Sequence, residues 1–265
     1  MSDMSYHRPA SLAEAARLAA ADPDARVLAG GQSVLPSMRL GLLVPASLID
    51  LAGIAELQGI RSDGRTLSIG AMTTHAAVAA SKEVQAALPA LARLAQGIGD
   101  PQVRNRGTIG GSVANSDPAA DYPAAVLALN GTIRTNARAI AADRFFTGLF
   151  ATALEPGELV AALDFPLPAK TGYAKFPQPA SRFALVGVFV ARAGNAVRVA
   201  VTGAGACAFR ATALEEALAR SFTPEACDGV RVPSGTLNSD IHGSAEYRAH
   251  LIPVLARRAV QQILA

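Results

Sequence analysis

Two glycine pairs, in Ala29-Gly30-Gly31-Gln32-Ser33 and in Thr108-Ile109-Gly110-Gly111-Ser112, carry the most readable chemistry of this chain. Glycine has no Cβ, so the N–H groups of a Gly-Gly turn can come close to a diphosphate, and the hydroxyls of Ser33, Thr108 and Ser112 add donors. Each pair follows a short apolar or β-branched stretch that reads as a strand, and two such turns could grip one dinucleotide from both sides. Neither matches G-x-G-x-x-G or G-x-x-x-x-G-K-S/T, which sets aside the usual nicotinamide and ATP fingerprints. Either pair alone also fits an ordinary strand-end turn.

Other chemistries find little support. There is no G-x-S-x-G, no H-E-x-x-H, and no histidine beside Cys207 or Cys227 in sequence to activate a thiol. Two cysteines cannot supply the four ligands of an iron–sulfur cluster, and both read as small buried hydrophobes. His7, His75, His242 and His250 are too dispersed for a zinc site. Redox chemistry on this chain therefore requires an organic cofactor.

The elements around the glycine pairs read as mixed α and β. Ser11-Leu12-Ala13-Glu14 has the form of a capping box, opening an alanine-rich helix that Asp22-Pro23-Asp24 ends. Val27 to Ala29 and Ser47 to Asp50 read as strands, as does the alternating Thr66 to Ile69 after the turn Ser62-Asp63-Gly64. Helices are expected over about 74–80 and 83–96, the second bent or broken at Pro89. Pro123 suits the first turn of a helix from Ala124 to Leu129. Thr132 to Thr135 and Leu159 to Leu163 look like returning strands, with Phe145 and Phe146 plugging the core between them. The Pro-rich stretch from Pro166 to Pro179 is a candidate boundary. Beyond it, 184–191 and 196–202 form a hairpin through Gly194-Asn195, with helices near 211–220 and 246–263 packed on it.

The chain has 265 residues and is 51% hydrophobic, with a formal net charge of +3. No apolar run is long enough for a membrane span, and the first residues, Met1 to Pro9, lack the apolar core of a secretory signal, so a cytoplasmic location is expected. The basic residues are scattered, which argues against nucleic acid as a partner. Arg104-Asn105-Arg106 and Arg257-Arg258 read as solvated surface or subunit contacts.

The surroundings of the glycine pairs make them specific. Gly99 to Ser112 (GDPQVRNRGTIGGS) resembles, nearly residue for residue, the signature of the FAD-binding medium subunit of the molybdenum hydroxylases, the aerobic carbon monoxide dehydrogenase and xanthine dehydrogenase group. The likeness continues in Ala29 to Pro36 (AGGQSVLP), Ser47 to Leu51, Ile69 to His75 (IGAMTTH), Asp117 to Ala124 (DPAADYPA), Leu154 to Leu159 and Asp240 to Arg248. These blocks keep the family's order across essentially the whole chain.

The resemblance implies an α+β fold in which a two-subdomain FAD-binding region of PCMH type (1–55 and 56–175) precedes a smaller α+β C-terminal domain (176–265). It implies that Ala29, Gly30, Gly31, Gln32 and Ser33, with Thr108, Ile109, Gly110, Gly111 and Ser112, cradle the FAD diphosphate. Asp121 matches a position whose carboxylate contacts the FAD through ribose or neighbouring hydroxyls, a role compatible with capping the following helix. Ile98 and Lys175 fall near other flavin-contacting positions. Phe183 matches a residue near the isoalloxazine, and it equally suits a core aromatic. With no histidine in the glycine turns, the FAD is expected to be non-covalent. Gln32 stands where some members carry His, Gly41 stands where an arginine is frequent, and 205–240 matches weakly and carries no expected site.

The function so implied is an oxidoreductase subunit that relays electrons and has no catalytic residues of its own. A large partner would hold the molybdenum–pterin centre and a small partner two [2Fe–2S] clusters, in a dimer of heterotrimers, with the FAD passing electrons to an external acceptor. The rival readings are a free-standing FAD-dependent oxidase or reductase and a non-enzymatic interaction module with a vestigial nucleotide site.

Overall fold

A computed structural model describes residues 4–167 and 169–265. Met1 to Asp3, part of the stretch read for a secretory signal, and Pro168 of the Pro-rich stretch lie outside the described residues. The N-terminal unit consists of β1 (Ser5–His7), α1 (Leu12–Ala21), β2 (Ala25–Leu28), α2 (Val34–Arg39) and β3 (Ser47–Asp50). Its three strands are all parallel, in the order β1-β3-β2. Helix α1 starts where the capping box places it: the Ser11 hydroxyl accepts from the Glu14 N–H, while the Glu14 carboxylate reaches back to the Ala10 N–H at 3.0 Å.

The middle unit opens with β4 (Ile60–Ser62) and β5 (Thr66–Gly70). A run of short helices follows: α3 (His75–Ala80), α4 (Lys82–Ala87), α5 (Pro89–Gln96), α6 (Pro101–Arg106), α7 (Ile109–Asn115) and α8 (Tyr122–Ala128). It closes with β6 (Thr132–Thr135), β7 (Ala139–Ala141), the small pair β8 (Phe146–Gly148) and β9 (Ala151–Thr152), and β10 (Val160–Pro166). Strands β4-β5-β10-β6-β7 form an antiparallel sheet. Each helical break has a local cause. Pro89 separates α4 from α5, and the side chains of Thr74, Ser81, Asp100 and Thr108 cap α3, α4, α6 and α7. Alanines on α5 and α8 allow close packing with Leu67, Ile69, Leu163, Phe165 and a fully buried Phe145. Phe146 only borders that core.

Within the Pro-rich stretch read as a candidate boundary, the chain passes from the middle sheet, which ends at Pro166, to a further strand. Lys170–Pro177 forms β11, paired antiparallel with β12 (Ala184–Ala193), which continues through the expected hairpin to β13 (Ala196–Thr202) and β14 (Phe209–Arg210). Proline occurs in that strand only at its last position, Pro177, and from Gly172 to Lys175 buried and half-buried residues alternate as a strand requires. Helices α9 (Thr212–Arg220) and α10 (Ala245–Leu264) pack on this sheet. Cys227 is fully buried in this core and burial pushes its thiol up to about 11, while Cys207 is partly exposed.

Arg248 of α10 is buried and serves as a polar bolt. It donates to the carbonyls of Leu185 (2.7 Å) and Gly203 (2.8 Å) and pairs with Asp240 at 2.7 Å. Replacing Arg248 with Met should strand these carbonyls and lower stability by about 2–4 kcal/mol, read as a reduced urea midpoint. An unchanged midpoint would show that water satisfies them instead.

Candidate cofactor cavity

A cleft of about 420 Å³ opens where the N-terminal and middle units meet. That volume lies within the range of roughly 300–1,000 Å³ found for small-molecule and cofactor sites. One wall comes from the carboxyl end of the parallel sheet, the usual position for ligands in such sheets: Val27, the turn Ala29 to Val34, and Leu51. The opposite wall comes from Thr108, Gly110, Gly111 and Ser112 at the start of α7. Met72, Leu159 and Val160 supply an apolar flank.

The two glycine pairs do meet across this cleft, but they differ in construction. The first is a strand-end turn. Gly31 has φ +75°, a conformation that favours glycine, and Gly30 has no room for a side chain, because a Cβ there would collide with the Arg106 carbonyl and lie 2.7 Å from the Gly107 Cα. The N–H groups of Gly30, Gly31, Gln32, Ser33 and Val34 donate to no acceptor among the described residues, and the Ser33 hydroxyl makes no cap bond. A run of free backbone donors flanked by a hydroxyl is suited to an anion. Gln32 folds back, its amide donating to the Gly30 carbonyl at 3.3 Å.

The second pair corrects the expectation of a strand-end turn. Thr108 is the N-cap of α7, preceded by helix α6 and not by a strand, so both glycines lie in the first helical turn. Its N–H groups are already used: Ile109 donates to Thr73 O (3.0 Å), Gly110 to Ala71 O (2.9 Å), Gly111 to Thr108 Oγ1 (3.1 Å) and Ser112 to Thr108 O (3.0 Å). The β-branched Thr108-Ile109 resembles a strand end in sequence, whereas the Thr73 and Ala71 carbonyls that stitch it down come from a distant loop. The glycines here serve close approach. A Cβ on Gly110 would strike Ala71, and one on Gly111 would sit 2.8 Å from Thr108 Oγ1 and 3.2 Å from the Ala29 Cβ. What remains for a ligand is the bare glycine surface and the Ser112 hydroxyl. Ile109 itself is fully buried in the core.

The remaining expected residues converge from elsewhere. Asp121 is 5% exposed and lines the cavity. It stands at the N-cap of α8 but does not cap it; its side chain instead binds Tyr173 and, at 2.9 Å, Lys175. Lys175 is outside the cavity lining and acts through that ion pair. Phe183 lies at the rim, half-exposed, next to Arg182, whose φ of +62° and bond to the Gly99 carbonyl (3.1 Å) shape the loop. Ile98 also lines the cavity. None of residues 205–240 does, and Gly41 has a structural role instead, closing α2 with φ +71°. Arg104, read from sequence as solvated surface or a subunit contact, is half-buried and donates to the Ile98 and Gly99 carbonyls, both at 3.0 Å.

His75 was not singled out as a site residue, yet its ring is buried in the cavity wall against Gly107, with Nδ1 lacking a partner among the described residues. Burial, with the Arg104 charge beside it, lowers its pKa to about 4, so it is neutral at pH 7. Its place at the end of the block Ile69 to His75, where α3 begins, is the signal the sequence offers; the contact with Gly107 is not visible there. Glu158, also at the cavity edge, is held at about 2, chiefly by the Arg138 guanidinium.

The chain is similar to known proteins over nearly its whole length. Residues 2–168 match the family described as FAD binding domain in molybdopterin dehydrogenase. Over 272 residues the chain is 38% identical to the carbon monoxide dehydrogenase medium chain of Hydrogenophaga pseudoflava, covering 96% of this chain and 95% of that one. It is 36% identical over 269 residues to the nicotine 6-hydroxylase medium subunit of Paenarthrobacter nicotinovorans, with the same coverage of 96% and 95%. Among solved structures, a reconstituted CO dehydrogenase from Oligotropha carboxidovorans superimposes with a TM-score of 0.90 at 34% identity, covering 98% of this chain and 97% of that one.

Proposed function

Because this chain belongs to the FAD-binding medium subunits of the molybdenum hydroxylases, we propose that the cleft between its two glycine pairs is the seat of the FAD. The observation that carries this placement is the run of free N–H groups from Gly30 to Val34, facing glycine surface on α7. The protein is an oxidoreductase subunit, and FAD is its cofactor. Held by this chain, FAD would supply the redox chemistry that links one-electron transfer from a partner's [2Fe–2S] clusters to two-electron reduction of an external acceptor such as a quinone, NAD, a carrier protein or dioxygen.

The chain's own residues do the holding. The N–H groups of the first turn, with the Ser33 and Ser112 hydroxyls, bind the diphosphate; Asp121 accepts from hydroxyls of the cofactor; Phe183 packs on the ring at the rim. Met72, Leu159 and Val160 keep water from the apolar flank. No covalent link is needed by such a site, and the FAD is held by these contacts alone.

Molybdenum–pterin and [2Fe–2S] centres belong to large and small partner subunits, and the substrate is oxidised on the former. The relatives matched over nearly their whole length are medium subunits of such complexes, which sets aside a free-standing oxidase. A dimer of heterotrimers in the cytoplasm completes the reading, a setting in which Cys207 and Cys227 stay as thiols. No described helix is long and apolar enough to cross a membrane. Purification from the native host should yield this chain yellow and accompanied by iron and molybdenum subunits. A colourless chain travelling alone would overturn the proposal.

A further inference from the structure

Strand β11 sends two alternate residues, Tyr173 and Lys175, toward the start of α8, and both end on the same oxygen of Asp121. The Tyr173 hydroxyl donates to Oδ1, and Lys175 Nζ stands 2.9 Å from that atom. The lysine's other donations, to the carbonyls of Gly97 (3.0 Å) and Arg182 (3.1 Å), fix its ammonium in place. Oδ2 accepts no hydrogen bond from any other described residue, although the Asp121 side chain forms part of the cavity wall. A carboxylate held twice through one oxygen cannot rotate without breaking both bonds, so the direction of the other oxygen is set from the C-terminal sheet.

The fold makes room for this arrangement. Gly187 on β12 pairs with Lys175 in register, and a Cβ at Gly187 would lie 2.6 Å from the Tyr173 hydroxyl oxygen. Tyr173 is further braced by Phe189, with ring centroids 5.9 Å apart. We propose that Tyr173 is a positioning residue of the flavin site: with Lys175 it holds Oδ1 of Asp121 and thereby presents Oδ2 to the hydrogen-bond donors of the bound FAD. This rests on the placement of FAD in the cavity.

The titration of Asp121 separates positioning from mere support. Burial pushes its carboxyl up, and Lys175 and Tyr173 pull it back down; the neighbouring Tyr122, whose phenol is raised by burial and by Asp121, is the other titratable group beside it. Loss of the Tyr173 hydroxyl raises the Asp121 carboxyl further. FAD affinity that depends on a charged Oδ2 then declines at a higher pH than in the wild type.

The test titrates FAD into the flavin-stripped full chain across mildly acidic to neutral pH, for the wild type, Tyr173→Phe, Asp121→Asn, the double variant and Gly187→Ala. Tyr173→Phe keeps the ring, so the sheet should fold. The expected result is about tenfold weaker binding for Tyr173→Phe, typical of losing a hydrogen bond to a charged group, with the acid decline displaced upward. Gly187→Ala, which displaces the same hydroxyl, should shift both in the same direction, and Tyr173→Phe should add nothing in the Asp121→Asn background. If Asp121→Asn weakens binding while Tyr173→Phe leaves affinity and pH profile unchanged, or lowers only thermal stability, the positioning role is wrong. If Asp121→Asn itself changes nothing, the placement of FAD against Asp121 fails first, and the positioning role with it.

Discussion

Gly30→Ala should abolish FAD retention, with affinity reduced at least roughly a hundredfold, since an added methyl prises apart the two elements that form the cleft. The new Cβ would collide with the Arg106 carbonyl and the Gly107 Cα, all backbone, so no side-chain rotation relieves it. Either the first turn moves away, losing the alignment of the free N–H groups from Gly30 to Val34, or the α6–α7 junction moves and loosens the bonds of Ile109 and Gly110 to Thr73 and Ala71. Overpacking of this kind costs roughly 1–3 kcal/mol, so the apoprotein should still fold with a lower denaturation midpoint. Gly235→Ala is the control, because nothing lies within 4 Å of that position. Equilibrium FAD titration of the two variants gives the comparison; tight binding by Gly30→Ala would mean that the cofactor does not depend on the contact between the turns.

The flavin-free protein should lose about 3 kcal/mol of stability as the pH falls from 6.5 toward 4, because His75 is held neutral in the fold. Its pKa drops from 6.5 to about 4, first through burial and then through the Arg104 charge. Above pH 6.5 the histidine is neutral in both folded and unfolded chains and contributes no pH dependence. Between those values the unfolded chain binds a proton that the folded chain refuses, so unfolding becomes easier as acid is added; below about 4 both forms are charged and this contribution levels off. The size follows from about 1.36 kcal/mol for each unit of difference. Glu158 adds a second, more acidic stage of the same sign, since the stability from its lowered pKa is full above 4.5 and is lost as pH falls toward about 2. His75→Phe retains an aromatic ring beside Tyr122 and removes the ionisable group, so urea midpoints of this variant should be nearly flat between pH 6.5 and 4. A wild-type limb that persists unchanged in His75→Phe would assign the acid lability to other groups.

Much of the fold is legible wherever one local signal decides the outcome. Ser11 with Glu14 starts α1, Pro89 breaks α4 from α5, and Gly194-Asn195 closes the hairpin of β12 and β13. Elsewhere distant groups decide, and no local signal shows them. The β-branched Thr108-Ile109 looks like a strand end, yet Thr73 and Ala71 carbonyls and the Thr108 cap make it a helix start. The prolines bordering β11 read as a boundary and leave its strand unseen, which pairing with β12 and packing against α10 create. Asp121 before Pro123 reads as a cap, until Tyr173 and Lys175 claim it from the other end of the molecule.

By itself, the sequence determined the type of chemistry. Paired glycines with flanking hydroxyls suit the close approach a diphosphate needs, the cysteines are too few for a cluster, and the motifs keep the order of one flavoprotein family. Those are properties of residue type and spacing, which a linear chain displays in full. Only the tertiary structure decided which of the two glycine pairs has free N–H groups, because a backbone donor is free or spent according to the carbonyl that packs against it. It likewise decided that Tyr173 reaches Asp121 and that His75 lies under Gly107, since burial and hydrogen-bond direction exist only once distant segments share one core.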